Sequence, residues 1–269
     1  MNLLNVRYDL AHRQSLSCQI SHLGTVVAQL SPPLLSLIIP TRNEEDNIRY
    51  LIERVQDACH TLSLECIFVD DSDDRTREVI DEVAQSHDMT IQRIFRNGED
   101  RRGGLSTAVI AGIRAARGTY ICVIDSDLQH PPETIPLLLS RVAEGEYDLG
   151  VASRYMKGGS SAGLSGIIRT IVSKCSTTLV HIVFPTSRDT TDPLSGFFVV
   201  RNAAIAEVPF HPTGFKILLE ILVQAPHLKT VDIPFVMAPR HAGESKASIR
   251  EGFRFLRHVI VLFPYRRHH

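Results

Sequence analysis

No tryptophan occurs in this chain, and its five cysteines (Cys18, Cys59, Cys66, Cys122 and Cys175) form no Cys-x-x-Cys pair. An odd, scattered set excludes a disulfide framework and offers no zinc spacing, so reduced thiols in a cytoplasmic setting fit better. Basic residues are not in excess: 29 lysines and arginines stand against 30 acids, a net charge of −1. That balance argues against nucleic acid as a partner. No apolar run approaches the ~20 residues a membrane-spanning helix needs. The first residues lack a basic start followed by a long apolar core, so no secretory signal is expected. The first apolar run is not followed by Gly-x-Gly-x-x-Gly, and no P-loop pattern occurs, which sets aside dinucleotide dehydrogenases and P-loop enzymes. Repeats and low-complexity tracts are absent too.

What is present is an ordinary globular composition, 43% hydrophobic and 22% charged over 269 residues. That is enough for one large α/β domain or two small ones. Short apolar runs at 34–39, 64–69, 89–95, 120–124 and 148–152 read as strands. Amphipathic segments lie between them: one from about 43 to 59, one carrying Val79, Ile80 and Val83, one over 105–116 and one over 133–144. Asn43, with Asp46 three residues later, suggests the first helix start. Strict alternation of strand and helix implies a mostly parallel sheet with helices on both faces. The second half is less regular, with helices expected at 163–183 and 214–223, a strand at 195–201 and loops at 189–193 and 240–246. A strand-like stretch at 230–237 contains Pro234, which favours an edge or a bulge. Residues 1–33 read as an N-terminal extension, 34–246 as the main domain, and 247–269 as a C-terminal basic amphipathic helix.

The run from Tyr120 to Ile124 organises the rest. It stops at Asp125, with Asp127 and Gln129 following and Pro131-Pro132 barring an immediate helix. In open α/β sheets ligands bind beyond the carboxyl ends of the strands. Two acids there, one residue apart, can share a hard cation that bridges to substrate phosphates, and Gln129 offers a third oxygen. The plain alternative is a polar turn with solvated acids. Acids also end the second run (Asp70, Asp71), and Arg154 ends the fifth; parallel strands would put all of them on one rim.

Six pieces in order carry a resemblance. They are Ile38-Ile39-Pro40-Thr41-Arg42-Asn43-Glu44, Val69-Asp70-Asp71-Ser72, the stretch from Asp125 to Glu133, Ser153-Arg154-Tyr155, the stretch from Asp192 to Phe197, and Gly243-Glu244-Ser245-Lys246. Over about 34–246 the chain resembles the GT-A fold glycosyltransferases, specifically the polyprenyl-phosphate sugar synthases of the dolichol-phosphate mannose synthase type. The resemblance implies that Pro40, Arg42 and Glu44 line a nucleotide pocket, with Phe68 and Asp70 near the base. It implies that Asp125, Asp127 and Gln129 hold Mg²⁺ or Mn²⁺ on the donor diphosphate, with the two aspartates as catalytic residues. Arg154, Arg169, Ser173 and Arg240 would bind the acceptor phosphate, and Lys246 would help at either phosphate. GDP-mannose is the first expectation for the donor, with UDP-glucose next. The chain departs from the family pattern at Arg42, where a tyrosine or similar residue is usual, and at Arg75 and Ser106, where glycine is common.

The chemistry agrees with the resemblance. A leaving diphosphate needs a cation or several donors. A phosphate acceptor needs no general base, because its second pKa is near ~6; it needs positioning, and arginine forks match phosphate oxygens. Arg169 and Ser173 are four apart and share one helix face. Alternatives remain at single residues. Arg154 reads also as a strand-end ion pair, Arg169 and Lys246 as solvated helix residues, and Asp192 as a turn cap or a hydroxyl-orienting group; His130 reads as structural. The final segment puts Ile249, Phe253, Leu256, Ile260 and Phe263 on one stripe beside Arg250, Arg254, Arg257, Arg266 and Arg267. It would lie on an anionic membrane surface, be brought there by a membrane partner protein, or pack on the domain. Rival functions are a transferase with a soluble saccharide acceptor and a non-catalytic nucleotide-sugar-binding module. Processive polysaccharide synthases are disfavoured, since their Gln-x-x-Arg-Trp motif needs the missing tryptophan.

Overall fold

The first apolar run forms β1, Leu35–Thr41, and every one of its residues is buried. A strand reads as continuously apolar when helices cover both faces of its sheet. Here Leu35, Leu37 and Ile39 enter one core cluster and Ile38 another, the two-residue alternation of a strand. A computed structural model describes residues 32–163, 167–211, 216–242 and 249–267, with the side chains of 167–170, 249–251 and 267 not described. The expected extension over 1–33 thus lies outside the described residues, apart from its two prolines. So do Lys246, the side chain of Arg169, and the first residues expected of the 163–183, 214–223 and 247–263 helices.

Six more strands complete the sheet: β2 (Leu64–Asp70), β3 (Thr90–Phe95), β4 (Tyr120–Val123), β5 (Leu149–Ser153), β6 (Phe198–Arg201) and β7 (Thr230–Pro234). Their spatial order is β3-β2-β1-β4-β6-β5-β7. The pairs β1–β2, β1–β4, β2–β3 and β5–β7 are parallel. β6 runs antiparallel to both β4 and β5. The expected mostly parallel sheet is therefore observed, and Pro234 does end an edge strand.

Among the described residues the helices are α1 (Glu45–Cys59), α2 (Thr76–Ser86), α3 (Leu105–Ala115), α4 (Ile135–Ala143), α5 (Ile167–Val183), α6 (Ile217–Gln224) and α7 (Ile249–Leu262). α1, α2 and α4 cover one face, through Ile48, Leu51, Ile52, Val55, Ile80 and Leu138 among others. α3 and α6 cover the other, through Val109, Ile110, Leu218 and Ile221. α3 lies so close to the sheet that a Cβ on Gly112 would stand 2.4 Å from Ile38 Cγ2. α5, α6 and α7 share a third cluster with Val180, Phe184, Leu219, Phe255, Val259 and Leu262.

The start of α1 differs from expectation. Glu44 holds the cap position without a side-chain cap bond. Asn43 has φ +54 and staples two loops instead: its N–H donates to Ser72 Oγ (2.8 Å) and its Oδ1 accepts from the Asp73 N–H (2.9 Å). Asparagine is among the residues that tolerate this left-handed region.

Candidate active site

The carboxyl ends of β1, β2, β4 and β5 share one rim. Because β6 runs the other way, its amino end reaches the same rim and brings the preceding loop, Asp192 to Phe197, with it. β7 leads over the rim to Arg240. Six strands thus deliver acidic and basic side chains to one edge, as open α/β sheets do for ligand sites.

The segment after β4 is held in an unusual shape. Leu128 has φ +63, rare for a non-glycine residue. Its buried side chain packs into the main core, which offsets the strain. The turn aims Asp127 and Gln129 together: Asp127 Oδ1 accepts the Gln129 N–H at 3.0 Å. A neighbouring segment clamps them through Ala238 N–H to the Gln129 carbonyl (3.0 Å) and His241 N–H to the Asp127 carbonyl (3.3 Å). Gln129 Nε2 donates to the Gly163 carbonyl (3.0 Å), which leaves its Oε1 on the site side, 3.5 Å from Arg240 Nη2.

Arg240 sits among the acids. Its Nη2 is 2.7 Å from Asp127 Oδ2 and its Nη1 3.9 Å from Glu44 Oε1. Asp125 keeps 39% of its side chain exposed, yet loss of water still raises its pKa, against the pull of Lys216 and Arg240. Asp127 is buried more deeply, and burial first, then the charge of Asp125, raise its pKa. Two crowded carboxylates that resist ionising are a ready place for a divalent cation. Among the described residues no three His, Cys, Asp or Glu side chains converge on one point. Asp125, Asp127 and the Gln129 side-chain Oε1 suit a hard cation that takes its remaining oxygens from a phosphorylated ligand.

His130 is structural, as expected. It stacks on Phe197 (5.2 Å between centroids) and meets Phe235 edge-on (5.7 Å). Its Nδ1 accepts the Asp125 N–H at 3.2 Å, which places the proton of the neutral ring on Nε2. Burial pushes its pKa down to about 4. Gly196 packs against the same pair; a Cβ there would lie 3.4 Å from Asp125 Oδ2 and from His130 Cε1.

On the donor side Pro40 is buried, its carbonyl 3.3 Å from Ser126 Oγ, and Arg42 is exposed. Glu44 Oε2 accepts from Asn47 Nδ2 (2.6 Å). Asp70 is wholly buried; its Oδ1 takes Thr41 Oγ1 (2.9 Å) and the Ser72 hydroxyl, while Oδ2 has no protein partner. An orphaned buried carboxylate oxygen at the rim fits a hydrogen-bond donor from a ligand. Phe68 is wholly buried in the core cluster beneath the rim. The neighbouring Asp71 is a brace, gripped by the Arg96 fork at 2.8 and 2.6 Å. Of the departures from the family pattern, Ser106 is buried with its Oγ unpartnered and Arg75 is exposed.

On the opposite wall Arg154 forms the strand-end ion pair. Its Nε and Nη2 grip the wholly buried Asp192 at 2.7 and 2.8 Å, and its own N–H also points at that carboxylate (3.2 Å). The ion pair fixes the guanidinium at the rim. Ser173 on α5 bonds Tyr155, hydroxyl to hydroxyl at 2.6 Å. Lys216 was missed by sequence reasoning. Its Nζ donates to the Leu194 carbonyl at 2.8 Å. Burial, with the nearby Arg154 charge, lowers its pKa to about 8, against Asp125 and Asp192. The available signal was a lysine at the cap position of an apolar helix, where the helix dipole disfavours a cation.

The sheet and rim are those of the GT-A glycosyltransferases. The chain belongs to glycosyl transferase family 2, whose family model matches residues 36–207. The chain is 39% identical to the dolichol-phosphate mannosyltransferase of Pyrococcus furiosus over 86% of its own length, and it spans 64% of that protein. It is 33% identical to the enzyme of the same name from Mycosarcoma maydis, over 88% of this chain and 81% of that one. Among solved structures, glucosyl-3-phosphoglycerate synthase from Mycobacterium tuberculosis, in complex with Mn²⁺, UDP and glucosyl-3-phosphoglycerate, superposes with a TM-score of 0.63. At 19% identity, covering 89% of this chain and 81% of that one, the likeness speaks to the fold. This protein is a glycosyltransferase.

Proposed function

We propose that this enzyme moves a hexose, mannose first among the candidates, from a nucleotide-sugar to a polyprenyl phosphate with inversion at the anomeric carbon. The observation that carries the reading is the rim itself. The oxygens of Asp125, Asp127 and Gln129, with Arg240 among them, share the rim with Arg154 and Lys216. One side suits a metal-bound diphosphate, the other an anionic acceptor. The names of the two mannosyltransferase relatives point the same way. GDP-mannose is the first donor to test and UDP-glucose the second, each with Mg²⁺ or Mn²⁺.

In this reading Pro40, Arg42, Glu44 and Asp70 receive the nucleotide. When bound, the cation neutralises charge that builds on the departing diphosphate. The chain's own residues do the positioning. Arg154 is preset by Asp192, Arg240, Arg169 and Ser173 would bind the acceptor phosphate with it, and Lys246 would help at either phosphate. A phosphate oxygen of the acceptor forms the new bond to the anomeric carbon. The bond to the donor diphosphate breaks, and its electron pair leaves with the diphosphate. A single displacement inverts the centre. The acceptor phosphate is already largely anionic at neutral pH, so the step needs no general base. His130, neutral and sealed between aromatic rings, supports that account. Because the acceptor is a lipid, the enzyme would work at the cytoplasmic face of a membrane.

Transfer of radiolabelled sugar into an organic-extractable product tests the proposal. Label that enters lipid phosphate, and is lost without metal and in Asp127→Ala, is the expected result. Donor binding without lipid label would overturn it in favour of a soluble acceptor or a binding module.

A further inference from the structure

We infer that Asp232, a β7 residue paired with Val151 inside the sheet, is the positioning residue that sets Arg154 for an anionic acceptor. Its carboxylate braces the loop that carries Asp192. Oδ1 accepts from Thr190 Oγ1 (2.5 Å), and Oδ2 accepts from the Thr191 N–H (2.7 Å) and from Thr191 Oγ1 (2.5 Å). Asp192 in turn donates its N–H to Thr190 Oγ1 (3.2 Å), while its carboxylate grips the Arg154 guanidinium.

A second route reaches Arg154 through its own backbone. Thr191 has one hydroxyl proton and donates it to Asp232. In the 2.6 Å contact between the Thr191 and Ser153 hydroxyls, Ser153 is therefore the donor. Its lone pairs then accept the N–H groups of Tyr155 (3.1 Å) and Met156 (3.3 Å). The turn that carries Arg154, and the carboxylate that holds its side chain, thus depend on one residue. Hydrogen bonds linked in this way polarise one another. The residue type is specific. A carboxylate only accepts, and the groups that meet Asp232 all donate. An asparagine of the same size would offer one acceptor oxygen and turn an NH₂ group toward donors. Among the described residues the carboxylate has no partner beyond the two threonines, so it holds the loop and neutralises no cation there. An arginine fixed beforehand loses less freedom when an anion arrives, and it presents its remaining N–H donors in register. That Arg154 receives an acceptor phosphate rests on the function proposed above; amide exchange, read without acceptor, lets the two fail separately.

Asp232→Asn, Thr191→Val and Thr191→Ser test the brace. Thr191 is exposed, so its substitutions leave the core intact and should keep the melting temperature. In the ligand-free protein, Asp232→Asn and Thr191→Val should speed amide hydrogen exchange over 153–156, read by mass spectrometry, and leave 121–129 unchanged. With polyprenyl phosphate, donor and Mn²⁺, both variants should raise KM for the acceptor ~10-fold or more. KM for the donor should stay as in the wild type. Thr191→Ser, which keeps the hydroxyl, should behave as the wild type does. Because the two residues act through one chain of bonds, Asp232→Asn/Thr191→Val should lose little more than either single variant. Unchanged exchange over 153–156, an unchanged acceptor KM or an equal rise in both KM values overturns the proposal. So do additive losses in the double variant, or a Thr191→Ser as poor as Thr191→Val. A wild type that transfers nothing to lipid phosphate would overturn the proposed function instead, and exchange over 153–156 would still show whether Asp232 holds Arg154.

Discussion

At the scale of single residues, the rim is held under electrostatic tension. Asp127 has its pKa raised by burial and by Asp125, despite the Arg240 contact. A carboxylate whose folded pKa lies above its unfolded value withdraws stability as pH rises through that folded pKa. Ligand-free Asp127→Asn should therefore melt no lower than the wild type at pH 7 by calorimetry, although it loses the Arg240 pair. Its transfer rate should fall by ~10²-fold or more if Asp127 holds the cation as proposed. A variant that melts well below the wild type would show that the ion pair, not the repulsion, dominates. Lys216 gives the pH dependence. Its pKa of about 8 leaves it mostly charged at neutral pH and uncharged above. If that charge serves the anionic ligands, kcat/KM should decline on the alkaline side with a midpoint near 8, and Lys216→Arg should move the decline to higher pH. An unchanged profile in the variant would remove Lys216 from the reaction. Asp125, Asp127 and Gln129 could be read from the sequence because their chemistry is written in adjacent letters. Lys216 could not, because its meaning depends on Leu194, Asp125 and Asp192, which reach it only through the fold.

At the scale of elements, the parallel half of the sheet was legible because each strand there is a short apolar run ended by a polar rim residue. β6 was not legible in direction. Four residues between loops carry the same alternation either way, and only its pairing with β4 and β5 makes it antiparallel. That reversal turns the stretch from Asp192 to Phe197 into site residues. Phe68, which the resemblance put near the base, lies wholly buried in the core cluster. Helix-to-sheet spacing was equally invisible in the letters. Gly112 lets α3 settle on β1, and a methyl there would meet Ile38 Cγ2 at 2.4 Å. Gly112→Ala has slightly better helix propensity, yet overpacking should prevail and lower unfolding free energy by about 1–3 kcal/mol in denaturant titration. A neutral or stabilising result would mean that the layer can shift to accept the methyl.

At the scale of the whole molecule, the site exists only when distant segments meet. Glu44, Asp70, Asp125, Arg154, Asp192, Lys216 and Arg240 come from parts of the chain spread over nearly 200 positions. In the proposed reading two carboxylates and an amide oxygen would hold a cation, with no third acid among the described residues. Such a set is weak alone and completed by a diphosphate. Metal and donor nucleotide should accordingly stabilise the fold together far more than either does singly. With both saturating at ~100 times their dissociation constant, linkage gives about 2.7 kcal/mol, read as a rise in melting temperature. Mn²⁺ or GDP alone should move it little, and Asp127→Asn should abolish the joint shift. A large shift with Mn²⁺ alone would point to a preformed metal site instead. A large shift with GDP alone would mean that the nucleotide wall around Asp70 binds without the cation, and the order in which donor and metal enter the rim would follow from which half acts first.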